Sequence, residues 1–227
     1  MTWRYPYQTA VLAPLKLTAS RLGRELEGPA ARPECRERPQ FMSEQAMNAL
    51  ERGVATHTVM QWLELERLRA ADTGLAGELS AQLDALMRRG TLTPAQRRGV
   101  RAGDIARYFE SEIGRRMLAS PRVEREWPFV MRLSAAEALA SGEGATDERM
   151  LVQGVIDCCF EEEGAWVLVD YKTDRDDDPE ALRDRYCAQL RLYARELRDI
   201  TQMPVRQAGL FLLRTGAFLD LSAETLE

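Results

Sequence analysis

Two aspartates and a lysine stand close together in an otherwise apolar part of this 227-residue chain. Asp157 lies in Gly154-Val155-Ile156-Asp157-Cys158-Cys159-Phe160, and Asp170 and Lys172 lie in Trp166-Val167-Leu168-Val169-Asp170-Tyr171-Lys172. Both stretches have strand composition, and Glu161-Glu162-Glu163-Gly164 joins them as a hairpin. A two-residue turn at Glu163-Gly164 sets Asp157 directly opposite Asp170, with β-carbons about 4.5–5.5 Å apart. Like charges so placed repel, and apolar neighbours make an unpaired buried charge costly. A divalent cation removes both problems, because Mg2+ takes carboxylate oxygens and completes its shell with water and phosphate. Lys172, two residues beyond Asp170, shares its strand face. An ammonium there can orient or help deprotonate an attacking water and offset charge at a scissile phosphate. A lone D-x-K at a hairpin end is also ordinary strand-end polarity, and a one-residue slip would send Asp157 to the other face. The surrounding elements must therefore decide.

Residues 1–40 carry Pro6, Pro14, Pro29, Pro33 and Pro39 and read as an arm or linker, with a short helix near residues 20–27. Ser43 is a plausible N-cap for a helix running to about Leu68, with Met47, Leu50, Val54, Met60 and Leu63 near helical spacing. Further helices are expected over 75–87 and, opened by Thr93-Pro94, through Ile105, Tyr108 and Phe109 toward Leu118. A short strand follows at 128–133, then an Ala-, Gly- and Ser-rich surface excursion over 134–148. After the hairpin, Asp178-Pro179-Glu180 starts a helix of about five turns with Leu182, Tyr186, Leu190, Tyr193 and Leu197 on one face. Strands at 205–213 and 217–221 flank a turn at Arg214-Thr215-Gly216. This order predicts an α/β (α+β) core behind an N-terminal helical layer. The arm is residues 1–40 and the folded domain residues 41–227.

Bulk properties exclude more than they choose. No apolar run approaches the length of a membrane span, and the N-terminus has no signal-peptide core. Cys35, Cys158, Cys159 and Cys187 form no CxxC pair, so they read as reduced thiols, with Cys158 and Cys159 on opposite strand faces. A net charge of −5 does not favour nucleic acid. However, a carboxylate metal site is acidic by construction, and all the basic residues except Lys16 and Lys172 are arginines, the better bidentate phosphate ligand. There is no G-x-x-x-x-G-K-[ST], hence no ATP site of that type.

Asp157, the Asp170-Tyr171-Lys172 run and Gln189-x-x-x-Tyr193 together resemble the PD-(D/E)xK nuclease superfamily in its RecB-like branch. Gly53-Val54-Ala55-Thr56-His57 is similar to that branch's G-x-x-x-H, and Arg125-Glu126-Trp127-Pro128-Phe129 to its R-E-x-P-F strand. Trp3-Arg4-Tyr5-Pro6-Tyr7 and Tyr171-Lys172-Thr173-Asp174 resemble the C-terminal nuclease domains of AddA-type helicase–nuclease proteins. Val54 stands where many relatives carry Thr, with the spacing to His57 intact.

The resemblance implies a restriction-endonuclease-like core, a small mixed sheet flanked by helices. It implies Mg2+, replaceable by Mn2+, held by His57, Asp157, Asp170 and the Tyr171 carbonyl. Lys172, Asp170 and Asp157 would be catalytic, with Gln189 and Tyr193 either positioning active-site groups or DNA, or simply packing. Glu126 is open between a supporting and a ligating role, and Arg191, Arg195 and Arg198 between phosphate contact and solvent. No cysteine-rich segment follows Tyr193, so no iron–sulfur cluster is expected. The implied activity is exonucleolytic cutting of single-stranded DNA, through backbone contacts, in double-strand-break repair and recombination. The implied partners are a helicase region of the same polypeptide and a separate AddB-type protein, in the bacterial cytoplasm. The alternative is a catalytically silent nuclease fold that binds DNA or a partner.

Overall fold

A computed structural model describes residues 16–18, 47–71, 74–134, 149–173 and 178–226. The expected helix near residues 20–27, the Ser43 cap, most of the 134–148 excursion and Cys35 lie outside these residues.

Among the described residues six strands form one mixed sheet: β1 (Lys16–Thr18), β2 (Val123–Ser134), β3 (Arg149–Glu162), β4 (Ala165–Lys172), β5 (Val205–Leu212) and β6 (Ala217–Asp220). The long β3 pairs antiparallel with β2 along one side. Its other side is shared by β4, antiparallel to residues 158–162, and by β1, parallel to residues 151–153. β4 then pairs parallel with β5, and β5 antiparallel with β6. The parallel β4–β5 pair requires a crossover, and α7 (Pro179–Thr201) supplies it. Asp178 caps α7 by accepting from the Glu180 N–H, and Pro179 occupies its first turn.

The helical layer comprises α1 (Ala49–Trp62), α2 (Leu65–Arg69), α3 (Leu75–Arg88), α4 (Pro94–Gly99), α5 (Ala102–Glu110) and α6 (Glu112–Ala119). A short α8 (Ser222–Thr225) closes the described chain. The single helix expected to run to Leu68 instead breaks at Leu63-Glu64, where Gln82 of α3 takes over the Glu64 backbone in both directions. Asn48 caps α1 in a reciprocal box with Glu51. The helical stretch opened by Thr93-Pro94 becomes three helices. Gly114 sits so close to the Tyr108 carbonyl that a β-carbon there would meet it at 1.9 Å.

Two cores sandwich the sheet. Phe129, Met131, Ile156, Cys159, Trp166 and Leu168 pack against Leu182, Leu190, Tyr193 and Leu197 of α7. Cys158, Phe160, Val167, Val169 and Tyr171 pack against α1, α3, α5 and α6 on the opposite face. The adjacent cysteines therefore face different layers, as strand alternation requires. No helix among the described residues is long and apolar enough to cross a membrane.

Candidate active site

Glu163 and Gly164 both have positive φ, 52° and 76°, which is the two-residue turn that the right-handed twist of a hairpin favours. The register from Glu162↔Ala165 to Cys158↔Val169, carried one step further, sets Asp157 opposite Asp170. At that step the ladder stops. The Tyr171 N–H donates to Asp157 Oδ2 at 2.8 Å, so a carboxylate replaces a backbone carbonyl as its acceptor.

The other neighbour of β3 changes at the same level. β2 pairs Arg125↔Cys158 and Trp127↔Ile156, passing over Glu126 and Asp157 between them. Glu126 has φ 51°, a left-handed conformation costly for a residue with a β-carbon. Before it, Arg125 and Cys158 face the helical layer; after it, Trp127 and Ile156 face α7. The backbone thus switches faces at the two acids and turns both toward the split between β3 and β4. The strand expected at 128–133 is longer than the Pro128 punctuation suggested, beginning at Val123.

α1 brings His57 to this split. Gly53 lets the helix approach closely, since a β-carbon there would lie 3.2 Å from Thr173 Oγ1. His57 Nδ1 lies 3.3 Å from Asp157 Oδ1 and 3.4 Å from Glu126 Oε1, while Nε2 lies 3.2 Å from the Tyr171 carbonyl. Burial alone would lower the pKa of His57. The Asp157 charge and the hydrogen bonds to Asp157 and Glu126 outweigh it and hold the imidazole up at about 10. One ligand atom from each of His57, Glu126 and Asp157 lies within 4.8 Å of the others.

Asp170 and Lys172 form the second half. Asp170 is 1% exposed, and burial pushes its carboxyl up to about 6 although the Lys172 cation opposes this. Lys172 Nζ lies 2.5 Å from Asp170 Oδ2 as an ion pair, yet that oxygen accepts no properly angled hydrogen bond. Oδ1 accepts from Gln189 Nε2 at 3.1 Å, and the same amide donates to Tyr193 Oη at 2.8 Å. The i, i+4 spacing on α7 thus makes Gln189 and Tyr193 one unit. Tyr193 also packs edge-on against Phe129, centroids 5.5 Å apart. Tyr186, one turn before Gln189, lies under Lys172, whose Nζ is 4.1 Å from the ring centroid. Desolvation would lower the Lys172 pKa, but Asp170 and Asp157 more than compensate and raise it.

These groups line one cleft of about 530 Å³ that includes His57, Asp157, Asp170, Lys172, Gln189 and Tyr193. The donor set of carboxylate oxygens, one imidazole and one backbone carbonyl suits a hard divalent cation. The negative charge not matched by Lys172 and the buried Asp170 oxygen whose contact is the Lys172 ammonium fit one as well. Glu126, open between a supporting and a ligating role, stands in the tightest cluster with His57 and Asp157, while Asp170 is turned toward Lys172 and Gln189. Tyr186 belongs to the apolar stripe that the sequence shows on α7, and its i, i+3 spacing from Gln189 puts it on the site's face as well. Arg191 donates to the Glu224 carbonyl and Arg195 pairs with Asp199, so both are engaged away from the cleft lining.

Comparison with known proteins extends this picture. The family pattern described as the PD-(D/E)XK nuclease superfamily matches residues 24–223. An ATP-dependent helicase/nuclease subunit of Bacillus licheniformis is 37% identical over 239 residues, covering 96% of this chain and 19% of that protein. The protein of the same name from Alkaliphilus metalliredigens is 37% identical (93% and 18% covered), and that from Desulforudis audaxviator 35% (96% and 18%). The chain therefore spans about a fifth of the length of the curated relatives it matches. With the family pattern running from ahead of α1 to α8, across every element that borders the cleft, the chain belongs to the PD-(D/E)XK nuclease superfamily.

Proposed function

We propose that the chain is a divalent-metal-dependent deoxyribonuclease that works with Mg2+, or Mn2+ in its place, as an exonuclease on single-stranded DNA. The observation that carries this is the convergence of the His57–Glu126–Asp157 cluster and the Asp170–Lys172 pair in one cleft. The relatives' name, which joins helicase and nuclease in one polypeptide, supports a strand delivered by a helicase region of the same protein. In this reading residues 41–227 are the nuclease domain and residues 1–40 its arm, which lays β1 along β3 of the domain's sheet; an AddB-type protein is the partner, and the setting is double-strand-break repair in the bacterial cytoplasm.

His57, Asp157, Asp170 and the Tyr171 carbonyl would hold the cation, with Glu126, which stands in the His57–Asp157 cluster, as a further oxygen donor. When bound, it supplies Lewis acidity toward a phosphoryl oxygen and toward water. Lys172, its pKa raised, stays cationic and acts as a fixed positive charge beside the phosphate rather than as a proton acceptor. Gln189, steadied by Tyr193, keeps Asp170 Oδ1 engaged and so fixes the direction of Oδ2. Contacts to backbone rather than bases would leave cutting largely indifferent to sequence.

The test is cleavage of an end-labelled single-stranded oligonucleotide with Mg2+ or with EDTA, by the wild type and Asp170→Ala. We expect metal-dependent shortening from one end, reduced roughly 10³-fold or more in the variant. No cutting by the wild type with Mg2+ or Mn2+, even beside a helicase-bearing partner, would overturn the catalytic reading and leave the silent binding module.

A further inference from the structure

Arg125 takes no part in the chemistry above, yet it is a guanidinium set among buried groups beside the site. Its Nη1 donates to the carbonyls of Met60 and Leu63, each at 2.8 Å. These carbonyls end α1, the helix that carries His57. α1 has no basic residue in its last turn, and Leu63 leaves it in extended backbone (φ −61°, ψ 136°). Met60 and Leu63 are 2% and 1% exposed, so water does not readily satisfy their carbonyls, and an orphaned buried acceptor is costly. A cation at a helix C-terminus also meets the negative end of the helix dipole. Among the described residues the acceptors of Arg125 are the Met60 and Leu63 carbonyls, no carboxylate pairs with it, and burial lowers its pKa. Among the described residues, the guanidinium is committed to the helix end.

We propose that Arg125 is a positioning residue for the metal cluster, clamping the end of α1 so that His57 is held against Glu126 and Asp157. This rests on the metal-dependent reading above. The lever is short at both ends. Met60 lies three residues beyond His57 on α1, and Glu126 is the very next residue after Arg125 on β2. The face switch at Glu126 makes the arrangement possible, sending Arg125 toward the helical layer while its neighbour's carboxylate reaches His57 Nδ1. One backbone step of β2 therefore grips the helix and presents an acid to the histidine that the helix carries. A slide or rotation of α1 by a fraction of a turn would separate His57 from both carboxylates.

The experiment is calorimetric titration of the chain with Mn2+, without DNA, comparing the wild type, Arg125→Met, His57→Ala and the double variant. Arg125→Met should weaken Mn2+ binding at least about tenfold, and Arg125→Lys, which keeps the charge and one donor, by less. In the His57→Ala background Arg125→Met should add under about twofold, because the clamp acts through His57. A general loss of stability would instead weaken binding equally in both backgrounds and overturn the proposal. So would Arg125→Met binding as the wild type does. If Arg125→Met does not fold, Arg125→Lys takes its place in the cycle, with a smaller loss in the wild-type background and no further loss in the His57→Ala background. A wild-type chain that binds no Mn2+ would overturn the metal reading itself. Wild-type binding with unaffected Arg125 variants would overturn only the clamp.

Discussion

The two ends of the β3–β4 hairpin carry clefts of similar size, each about 530 Å³, and treat charge in opposite ways. At the turn end, Arg116 meets Glu162 through two hydrogen bonds of 2.8 and 2.7 Å, Arg206 meets Glu163 at 2.6 Å, and Gln207 bonds Asp220 at 2.6 Å. Every acid there has a hydrogen-bonding partner. At the split end, Glu126, Asp157 and Asp170 crowd toward His57 and one lysine, and a buried Asp170 oxygen lacks a proper hydrogen bond. Matched charge of this kind stabilises modestly. Unmatched buried charge costs stability and persists where something outside the chain completes it. The contrast lies in the balance of charge, not in cleft size; the split end is also the more apolar of the two, with Phe129, Val130 and Val155 in its lining.

The comparison can be broken at several points. Lys172→Ala removes the ammonium paired with Asp170 and should lower kcat by ~10²–10³-fold while leaving Mn2+ affinity undiminished. Single-turnover cutting set beside metal titration checks both halves, and a parallel loss of affinity would contradict the assigned role. Gly53→Val should push α1 away from Thr173 and displace His57, costing up to about 10²-fold in cutting. Gly53→Ala needs only a few tenths of an ångström of relief and should stay near wild type.

A pH series sharpens the contrast. Without metal, His57 holds its proton up to about pH 10, so a cation binding at pH 7.5 must expel it. Binding should release about one proton per ion, and apparent affinity should rise with pH toward 10, by at most about tenfold per unit. Below about pH 6 Asp170 adds a second competing proton and steepens the fall. Calorimetry in two buffers of different ionisation enthalpy counts the protons, and a count of zero would remove the charged histidine from the picture. At the other end, Arg116→Ala should cost only about 0.5–1 kcal/mol by denaturant melting and leave cutting and metal affinity unchanged.

Much of the split end could be read from residues alone. The Glu163-Gly164 turn dictates the hairpin register and, with it, the Asp157–Asp170 opposition. The i, i+4 pair Gln189 and Tyr193 and the spacing from Gly53 to His57 needed only helical geometry. Glu126 resisted this kind of reading because its positive φ is imposed by tertiary structure, not by residue type: neither Gly nor Asn marks the place. The break after Trp62 was equally hidden. Neither Gly nor Pro lies there, and the helix ends because Arg125 and Gln82, distant in sequence, supply better partners for its backbone. Stretches governed by local turn and helix chemistry were legible; those set by a side chain arriving from another layer were not.

Cys158 and Cys159 sit one residue apart at the middle of the sheet, wholly buried, yet each belongs to a different layer. Burial holds both thiols above their ordinary pKa, Cys158 at about 11, so neither reacts while the layers are closed. The pair is a built-in stopwatch. Alkylation of Cys158 times the lifting of the helical layer that carries His57, and alkylation of Cys159 times the departure of α7. Pulse labelling followed by mass mapping of the two adjacent sites would order these openings in the unmodified chain, with no probe introduced.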